Sequence, residues 1–426
     1  MEKNDYRQMW KDLGLNLEAH DQLLSVLGKA YKDIYFSQES RPKGMQYLDF
    51  VISEVHGLRV KELMEEKRKG NKVIGTFCVY VPEELILAVG GTYVGLCAGA
   101  EIRIDEAEKV LPRNTCALIK SFMGFKLAGL CPYIQASDLV VGETTCDGKK
   151  KAYEILNDYK ETYVMEIPHM KTERDRTLWK GEVLQFKEKL EEITGRKVTE
   201  ENLRKGIDIV NGKRKALQRL SGLRRSNPSP ISGLDALLVN QISFYDDPIR
   251  FTNNINILCD ELEDRVKKGV GVVRRGAPRV LIAGSPMVAP NWKLPYIVET
   301  SNAVIVAEES CVGERNTRDL VEETGRTLDE MIDAIVDRYM KIDCACFTPN
   351  EDRIEHINKL AKDFQVDGVI HYNIQFCTPY SVEAYKVEKA LHEKRIPCLK
   401  IETDYGMEDM GQLKTRIEAF LEIVRG

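Results

Sequence analysis

The 426-residue sequence has few histidines, no excess of basic residues and no long apolar run. Its 62 Lys and Arg residues are outnumbered by 67 Asp and Glu residues, which gives a formal net charge of −5 at pH 7. Proteins that bind nucleic acid depend on concentrated positive charge, and this composition does not provide it. Nucleic acid is therefore not an expected partner.

The most apolar window, residues 81–100, contains Glu83, Glu84 and several glycines, so it predicts a helix, a turn and a strand rather than a membrane span. The first seven residues are charged and lack the apolar segment of a secretory signal. These patterns predict a cytoplasmic protein with no membrane partner.

Several cofactor motifs are absent from the sequence. None of the six histidines forms a His-x-x-x-His or His-Glu-x-x-His pattern, so a helical zinc site is not expected. There is no phosphate-binding Gly-x-x-x-x-Gly-Lys-Ser/Thr motif, and no Gly-x-Gly-x-x-Gly follows a predicted strand. Any ATP would therefore have to act through a partner protein.

Cysteine, in contrast, is abundant. The chain has 11 cysteines, and a reducing compartment disfavours disulfides, which leaves metal binding or redox chemistry as the usual reason for such a number. If a metal is bound, the sequence predicts that sulfur holds it.

The hydrophobic patterns divide the chain into four regions. Short apolar strands alternate with helices in two of them, which predicts parallel α/β sheets. The fold class expected is α/β, with two doubly wound parallel-sheet lobes of the Rossmann or flavodoxin type and additional helical regions. The predicted divisions are a helical N-terminal region at 1–70, a first α/β lobe at 71–168, a helical region at 169–275 and a second α/β lobe at 276–426.

Four cysteines occupy positions where ligands collect in such sheets, beyond the carboxyl ends of the strands, and a fifth stands at a helix start. Cys146 and Cys377 each follow a predicted strand and precede a helix, so they are topological equivalents. Cys78 and Cys311 also follow strands, and Cys116 stands at the start of a helix. A helix N-terminus favours anions, so we expect it to lower the pKa of Cys146 and Cys377.

Cys344 and Cys346 form a Cys-x-Cys pair that we predict to be extended, with both side chains on one face and at least one of them a ligand. The other cysteines lie in apolar patterns and are predicted to pack in the core. They are Cys97, Cys131, Cys259 and Cys398.

Three other sets of residues are candidate functional groups. His371 ends a strand and is interpreted as a satisfied core histidine rather than a proton carrier. Glu308 and Glu309 beside Cys311 are explained equally well as acids or as solvated or capping carboxylates. The lysines at 149–151 predict a solvated first helical turn or a dock for an acidic partner.

These residues resemble the cluster-bearing subunits of the 2-hydroxyacyl-CoA dehydratase and benzoyl-CoA reductase superfamily, over most of residues 70–426. The C-terminal segments carry the most specific likeness, and the N-terminal ones support it. The segments are Asp367–Tyr372, Phe376–Tyr380, Ile396–Leu399, Glu402–Tyr405 and Thr415–Phe420, with Cys78–Glu84 and Cys146–Asp147.

The resemblance implies a [4Fe–4S] cluster held by Cys116, Cys146 and Cys377, with one iron left without a protein thiolate. This chain departs from that simple pattern by carrying Cys78, Cys311 and Cys346 as well, with Cys344 as a substitute. Three further thiolates would suit a second cubane, and a bridging sulfide would join the two. In this respect the chain resembles the double-cubane cluster proteins, which bind an [8Fe–9S] cluster.

That likeness also implies partners and a reaction. The relatives are homodimers that receive electrons from a homodimeric ATP-hydrolysing activator with its own [4Fe–4S] cluster, and they reduce small molecules. The expected function is therefore the iron–sulfur component of an ATP-dependent reductase acting on a small unsaturated substrate.

Two alternatives remain open at this level. One is a single-[4Fe–4S] subunit of a 2-hydroxyacyl-CoA dehydratase, in which the extra cysteines only pack. The other is a non-catalytic electron-transfer protein, because electron carriers and reductases share the same ligand chemistry.

Overall fold

The computed structural model describes residues 4–96 and 98–425. The chain begins with helices, as predicted, and polar caps set some of their starts. The side chain of Asn16 accepts a hydrogen bond from the backbone N–H of Ala19 at 3.2 Å and so caps the second helix. These four helices are α1 (Asn4–Asp12), α2 (Leu17–Tyr35), α3 (Met45–Ser53) and α4 (Leu58–Arg68).

The first sheet has four parallel strands. They are β1 (Val73–Thr76), β2 (Thr92–Gly95), β3 (Leu139–Glu143) and β4 (Thr162–Met165). Their order across the sheet is β2-β1-β3-β4, and the strands β1 and β3 at its centre are buried at every residue. Helices between them are α5 (Glu83–Ala88), α6 (Ile104–Ala107), α7 (Ala117–Leu127), α8 (Pro132–Ala136) and α9 (Asp147–Leu156).

Four helices follow the first sheet. They are α10 (Glu173–Thr194), α11 (Glu200–Leu223), α12 (Gly233–Ile242) and α13 (Pro248–Lys267). Helix α11 packs on α5 through two buried ion pairs, Lys213 with Glu83 at 2.6 Å and Arg214 with Glu84 at 2.7 Å. Because both partners are buried in each pair, these contacts fix the helical region against the first sheet.

The second sheet repeats the plan of the first. Its strands are β5 (Arg279–Gly284), β6 (Val304–Glu309), β7 (Gly368–Ile374) and β8 (Cys398–Thr403), all parallel and in the order β6-β5-β7-β8. The accompanying helices are α14 (Lys293–Thr300), α15 (Glu314–Thr317), α16 (Leu328–Met340), α17 (Glu351–Asp363), α18 (Thr378–Glu393) and α19 (Met410–Arg425).

Two parallel sheets with the same doubly wound strand order confirm the predicted α/β fold class. The residue numbers chosen for the four regional boundaries stay a prediction. Within residues 4–96 and 98–425, no helix combines the length and apolarity needed to cross a bilayer.

Candidate metal centre between the two lobes

Three cysteines from two lobes meet at helix starts. Cys116, Cys146 and Cys377 are the N-cap residues of α7, α9 and α18, and we call them the three-cysteine group. The Cys146 sulfur accepts a hydrogen bond from the backbone N–H of Lys149 at 3.4 Å. The backbone N–H of Ala117 donates to Gln375 O at 3.4 Å, which ties the start of α7 in the first lobe to the turn before Cys377 in the second.

The turn before Cys377 is strained. Phe376 has φ of 65° although it is not glycine, and its side chain is 45% exposed. A left-handed conformation costs an L-residue about 1–2 kcal/mol, and such strain often marks a functional site. This conformation sets the direction in which the chain enters α18, and no pattern in the sequence indicated it.

The remaining candidate cysteines form a second group: Cys78 after β1, Cys311 after β6, and Cys344 and Cys346 between α16 and α17. We call them the four-cysteine group. Tyr80 lies close to all four of them. Burial first, and then the charges of the four cysteines, raise the pKa of Tyr80 well above its usual value. Tyr80 is itself held by a hydrogen bond from its hydroxyl to Ile342 O at 3.1 Å.

The Cys-x-Cys pair is not extended as predicted. Cys344 and Cys346 lie in a loop, and a hydrogen bond from Phe347 N to Cys344 O at 3.2 Å closes a turn around them. The turn still brings the two thiols together, and a hydrogen bond joins them. This bond lowers the pKa of Cys344 to about 6 and raises that of Cys346.

A buried arginine contacts the four-cysteine group. Arg315 donates from Nη1 to the Cys311 sulfur at 3.4 Å and also to the Tyr380 hydroxyl. Tyr380 in turn lies 3.7 Å from the Cys344 sulfur. The side chain of Arg315 is fully buried and pairs with Glu309.

The acidic residues beside Cys311 therefore have structural partners. Glu309 binds both Arg315 and Arg353, the latter at 2.8 Å. Glu308 accepts two hydrogen bonds of 2.6 Å from Arg224. Neither is the solvated carboxylate that one interpretation of the sequence allowed. Because both carboxylates are buried, removing an arginine partner would leave an unpaired buried charge.

Each of the two groups draws its cysteines from both lobes. The three-cysteine group takes Cys116 and Cys146 from the first lobe and Cys377 from the second, whereas the four-cysteine group takes only Cys78 from the first. Each group is thus complete only when both sheets are in place. Both groups lie at the carboxyl ends of the parallel strands, where ligands of such sheets collect.

A family comparison matches residues 78–424 to the 2-hydroxyglutaryl-CoA dehydratase, D-component family. The chain belongs to this family. The match begins at Cys78, so it includes every member of both cysteine groups and leaves out the N-terminal helices and β1. Membership confirms the superfamily resemblance.

Named relatives of this D-component protein are dehydratase and reductase subunits. The putative dehydratase subunit YjiM of Escherichia coli (strain K12) is 38% identical over 376 residues, 88% of this chain and 97% of the relative. The (R)-phenyllactyl-CoA dehydratase beta subunit of Clostridium sporogenes is 27% identical, covering 85% and 96%. One of the benzoyl-CoA reductase subunits of Thauera aromatica is 22% identical, covering 85% and 93%. The family is therefore one of enzyme subunits.

An ion pair lies between the two groups of this D-component chain. Lys149 pairs with the buried Glu143, which also accepts from Thr145 Oγ1 at 2.6 Å. The Lys149 charge opposes the rise that burial causes in the pKa of Cys78, Cys146 and Cys311. Lys149 thus faces both groups, and the prediction of a solvated lysine turn is wrong for this residue.

The predicted helix effect on thiol acidity is outweighed by burial. Burial raises the pKa of Cys146, although the backbone N–H of Lys149 opposes it. The hydrogen bond with Cys116, followed by burial, raises the pKa of Cys377, while the same bond lowers that of Cys116.

The donor set fits iron–sulfur ligation. All ten described cysteines are free thiols, and seven of them form the two groups, in which Cys344 is buried and the other six are half-buried. Over the described part of the chain, no three His, Cys, Asp or Glu side chains converge on one ion site. Cubane ligands have no need to converge in this way, because each thiolate binds a different iron.

A cavity of about 70 Å³ adjoins these cysteines. Cys78, Cys311 and Lys149 contribute to its wall, and apolar and aromatic side chains form most of the rest. These include Phe77, Tyr93, Leu118, Phe244, Tyr245 and Val288. This space is far smaller than the roughly 300–1,000 Å³ of a site for a drug-sized ligand.

The cysteines predicted to pack in the core do so where they are described. Cys259 is fully buried, and Cys131 and Cys398 are half-buried against apolar clusters. Cys97 lies outside the described residues. His371 is also buried, but neither ring nitrogen has a hydrogen-bond partner among the described residues, so it is not the satisfied histidine we predicted. Burial lowers its pKa to about 3, which keeps the ring neutral.

Proposed function

We propose that this chain is the iron–sulfur component of an ATP-dependent, low-potential reductase that binds an [8Fe–9S] double-cubane cluster and reduces a small unsaturated substrate. Cys116, Cys146 and Cys377 hold one half. Cys78 and Cys311 hold the other half together with Cys346, or with Cys344 in its place.

The observation that carries the proposal is the presence of two adjacent cysteine groups, each with at least the three thiols that a cubane needs. A single cubane with one open iron requires three thiolates, which the three-cysteine group supplies alone. The four-cysteine group would then serve only in packing.

When bound, iron–sulfur clusters accept and pass single electrons at potentials set by hydrogen bonds, charge and solvent exposure. The chain's own residues control these factors. Lys149 supplies a positive charge facing both groups, and the backbone N–H of Lys149 donates to the Cys146 sulfur. Aromatic side chains that include Phe77 and Phe244 make the wall of the cavity beside Cys78 largely apolar.

The proposed partners follow from the superfamily resemblance and from relatives that are named as subunits. We propose a homodimer of this chain that receives electrons from a homodimeric ATP-hydrolysing activator with a [4Fe–4S] cluster.

A second candidate is a single-cubane subunit of a 2-hydroxyacyl-CoA dehydratase. The names of the relatives favour it, because the 38% and 27% identical proteins are both named as dehydratase subunits. In that case only the three-cysteine group binds metal.

Iron and acid-labile sulfide per chain, measured on protein purified without oxygen, separate the two candidates. We expect about eight irons with slightly more sulfide, since each cubane contributes four of each. About four irons would contradict the double-cubane proposal and favour the dehydratase subunit.

A further inference from the structure

The two cysteine groups differ in what donates hydrogen bonds to their sulfur atoms. In the three-cysteine group the donors are neutral: the backbone N–H of Lys149 to Cys146, those of Leu118 and Ile119 to Cys116, and the Tyr380 backbone N–H and Ser285 hydroxyl to Cys377. In the four-cysteine group, the donor to Cys311 is the charged guanidinium of Arg315. Charge-assisted hydrogen bonds are roughly twice as strong as neutral ones.

Arg315 is fixed in this position by other buried groups. Its Nε donates to Glu309 at 3.1 Å, and the Asp343 carboxylate lies 3.7 Å away. Glu309 is held from its other side by Arg353, whose guanidinium also binds Glu383. The side chains of Arg315, Glu309 and Arg353 are all fully buried, so the guanidinium has little freedom to turn away from Cys311.

Tyr380 extends the same network to the Cys-x-Cys turn. Its hydroxyl accepts a hydrogen bond from Arg315, and a hydroxyl has one proton of its own to donate. The Cys344 sulfur, 3.7 Å away, is positioned to accept that proton. The Arg315 and Arg353 guanidinium groups lie 5.4 and 5.0 Å from the centre of the Tyr380 ring, and this holds the ring in place.

We propose that Arg315 and Tyr380 are positioning residues that give the four-cysteine side of the bound cluster a higher reduction potential than the three-cysteine side. The inference rests on the proposed function. Reduction adds negative charge to a cluster, and hydrogen bonds to its sulfur ligands stabilise that charge. Electrons therefore collect at the four-cysteine side.

Features shared by both groups do not create this difference. Lys149 and Glu143 act on Cys146 in the three-cysteine group and on Cys78 in the four-cysteine group.

The test is a reductive titration of the loaded, oxygen-free protein followed by electron paramagnetic resonance, with iron counted first. The variants are R315Q, R315K and Y380F. We expect the wild-type protein to show two reduction steps. The step at higher potential should move to more negative potential in R315Q and Y380F, and less so in R315K, which keeps the charge. The lower step should stay where it is.

R224Q is the matched control, because Arg224 is equally buried and pairs with Glu308 but hydrogen-bonds to no cysteine among the described residues. It should leave both steps unchanged. If R315Q fails to fold, Y380F decides, since it removes a single oxygen. Unchanged steps in Y380F, or an equal shift of both steps, would overturn the inference. About four irons per wild-type chain would instead overturn the proposed function itself.

Discussion

The two sheets share one strand order but carry different residues at equivalent strand ends. After β3 and β7, the equivalent residues are Cys146 and Cys377, each three residues beyond its strand and each an N-cap. After β1 and β5 they differ, because Cys78 lies two residues beyond the first strand and Pro286 takes the same place beyond the second. The repeated strand order therefore fixes where ligands collect, whereas the residue at each place decides which cysteine group forms there.

The largest expected effect comes from removing the residue that joins the second lobe to the three-cysteine group. C377S should lose about half of the iron, because a cubane requires at least three thiolates here. The control is C398S, which lies in β8 outside both groups. Equal iron in C377S and wild-type protein, measured after anaerobic purification, would contradict the assignment.

The Cys-x-Cys turn is the next point of comparison. Of its two thiols, Cys344 is the more buried and hydrogen-bonds with Tyr380. C344A and C346A should therefore differ in iron content. The variant lacking the true ligand should lose about half of the iron, and the other should keep it. Full iron in both variants would show that either thiol substitutes for the other.

A buried carboxylate in the second lobe makes its stability depend on pH. Glu299 accepts hydrogen bonds from Gly233, Leu234 and Ile305, yet burial raises its pKa to about 7. Because the pKa of Glu299 is higher in the folded than in the unfolded chain, protonated Glu299 stabilises the fold fully below pH 4.5. This contribution to the free energy of unfolding is lost as the pH rises through 7. The loss is on the order of 3 kcal/mol. Urea unfolding of E299Q should show a flatter pH profile between these values than the wild-type protein.

The smallest effects distinguish two neighbouring lysines on α9. K149M leaves the buried Glu143 without its cation and should cost about 2 kcal/mol, less than a fully broken buried pair because Thr145 and Tyr153 still bind the carboxylate. K151M removes an exposed pair with Glu154 and should change unfolding free energy by less than about 0.5 kcal/mol. Equal losses in the two variants would mean that Lys149 is no more than a surface residue.

Local patterns were sufficient to predict the fold and the positions of individual cysteines. Strand ends and helix starts follow from alternation and capping, so these patterns place Cys116, Cys146 and Cys377 each at the start of a helix. The partners of these residues could not be found in this way. Arg353 lies 44 residues from Glu309, and Tyr380 lies 65 residues from Arg315. Spacing alone carries no information about side chains that meet across such distances.

The same limit explains the wrong interpretation of Glu309. A carboxylate beside a cysteine resembles an acid or a solvated group, because the arginines that neutralise it belong to α15 and α17. The left-handed Phe376 was missed for a different reason. Its conformation is set by the turn that leads from β7 into α18, and its residue type does not indicate it.

Because each cysteine group draws its members from both lobes, the two halves of the chain are complementary fragments. Cutting between α13 and β5 would leave Cys78, Cys116 and Cys146 on one piece and Cys311, Cys344, Cys346 and Cys377 on the other. The first piece would carry one ligand of one group and two of the other, so it would hold no complete set. The second piece would keep three thiols of the four-cysteine group, so only metal loading of the three-cysteine group would report that the two pieces have reassembled.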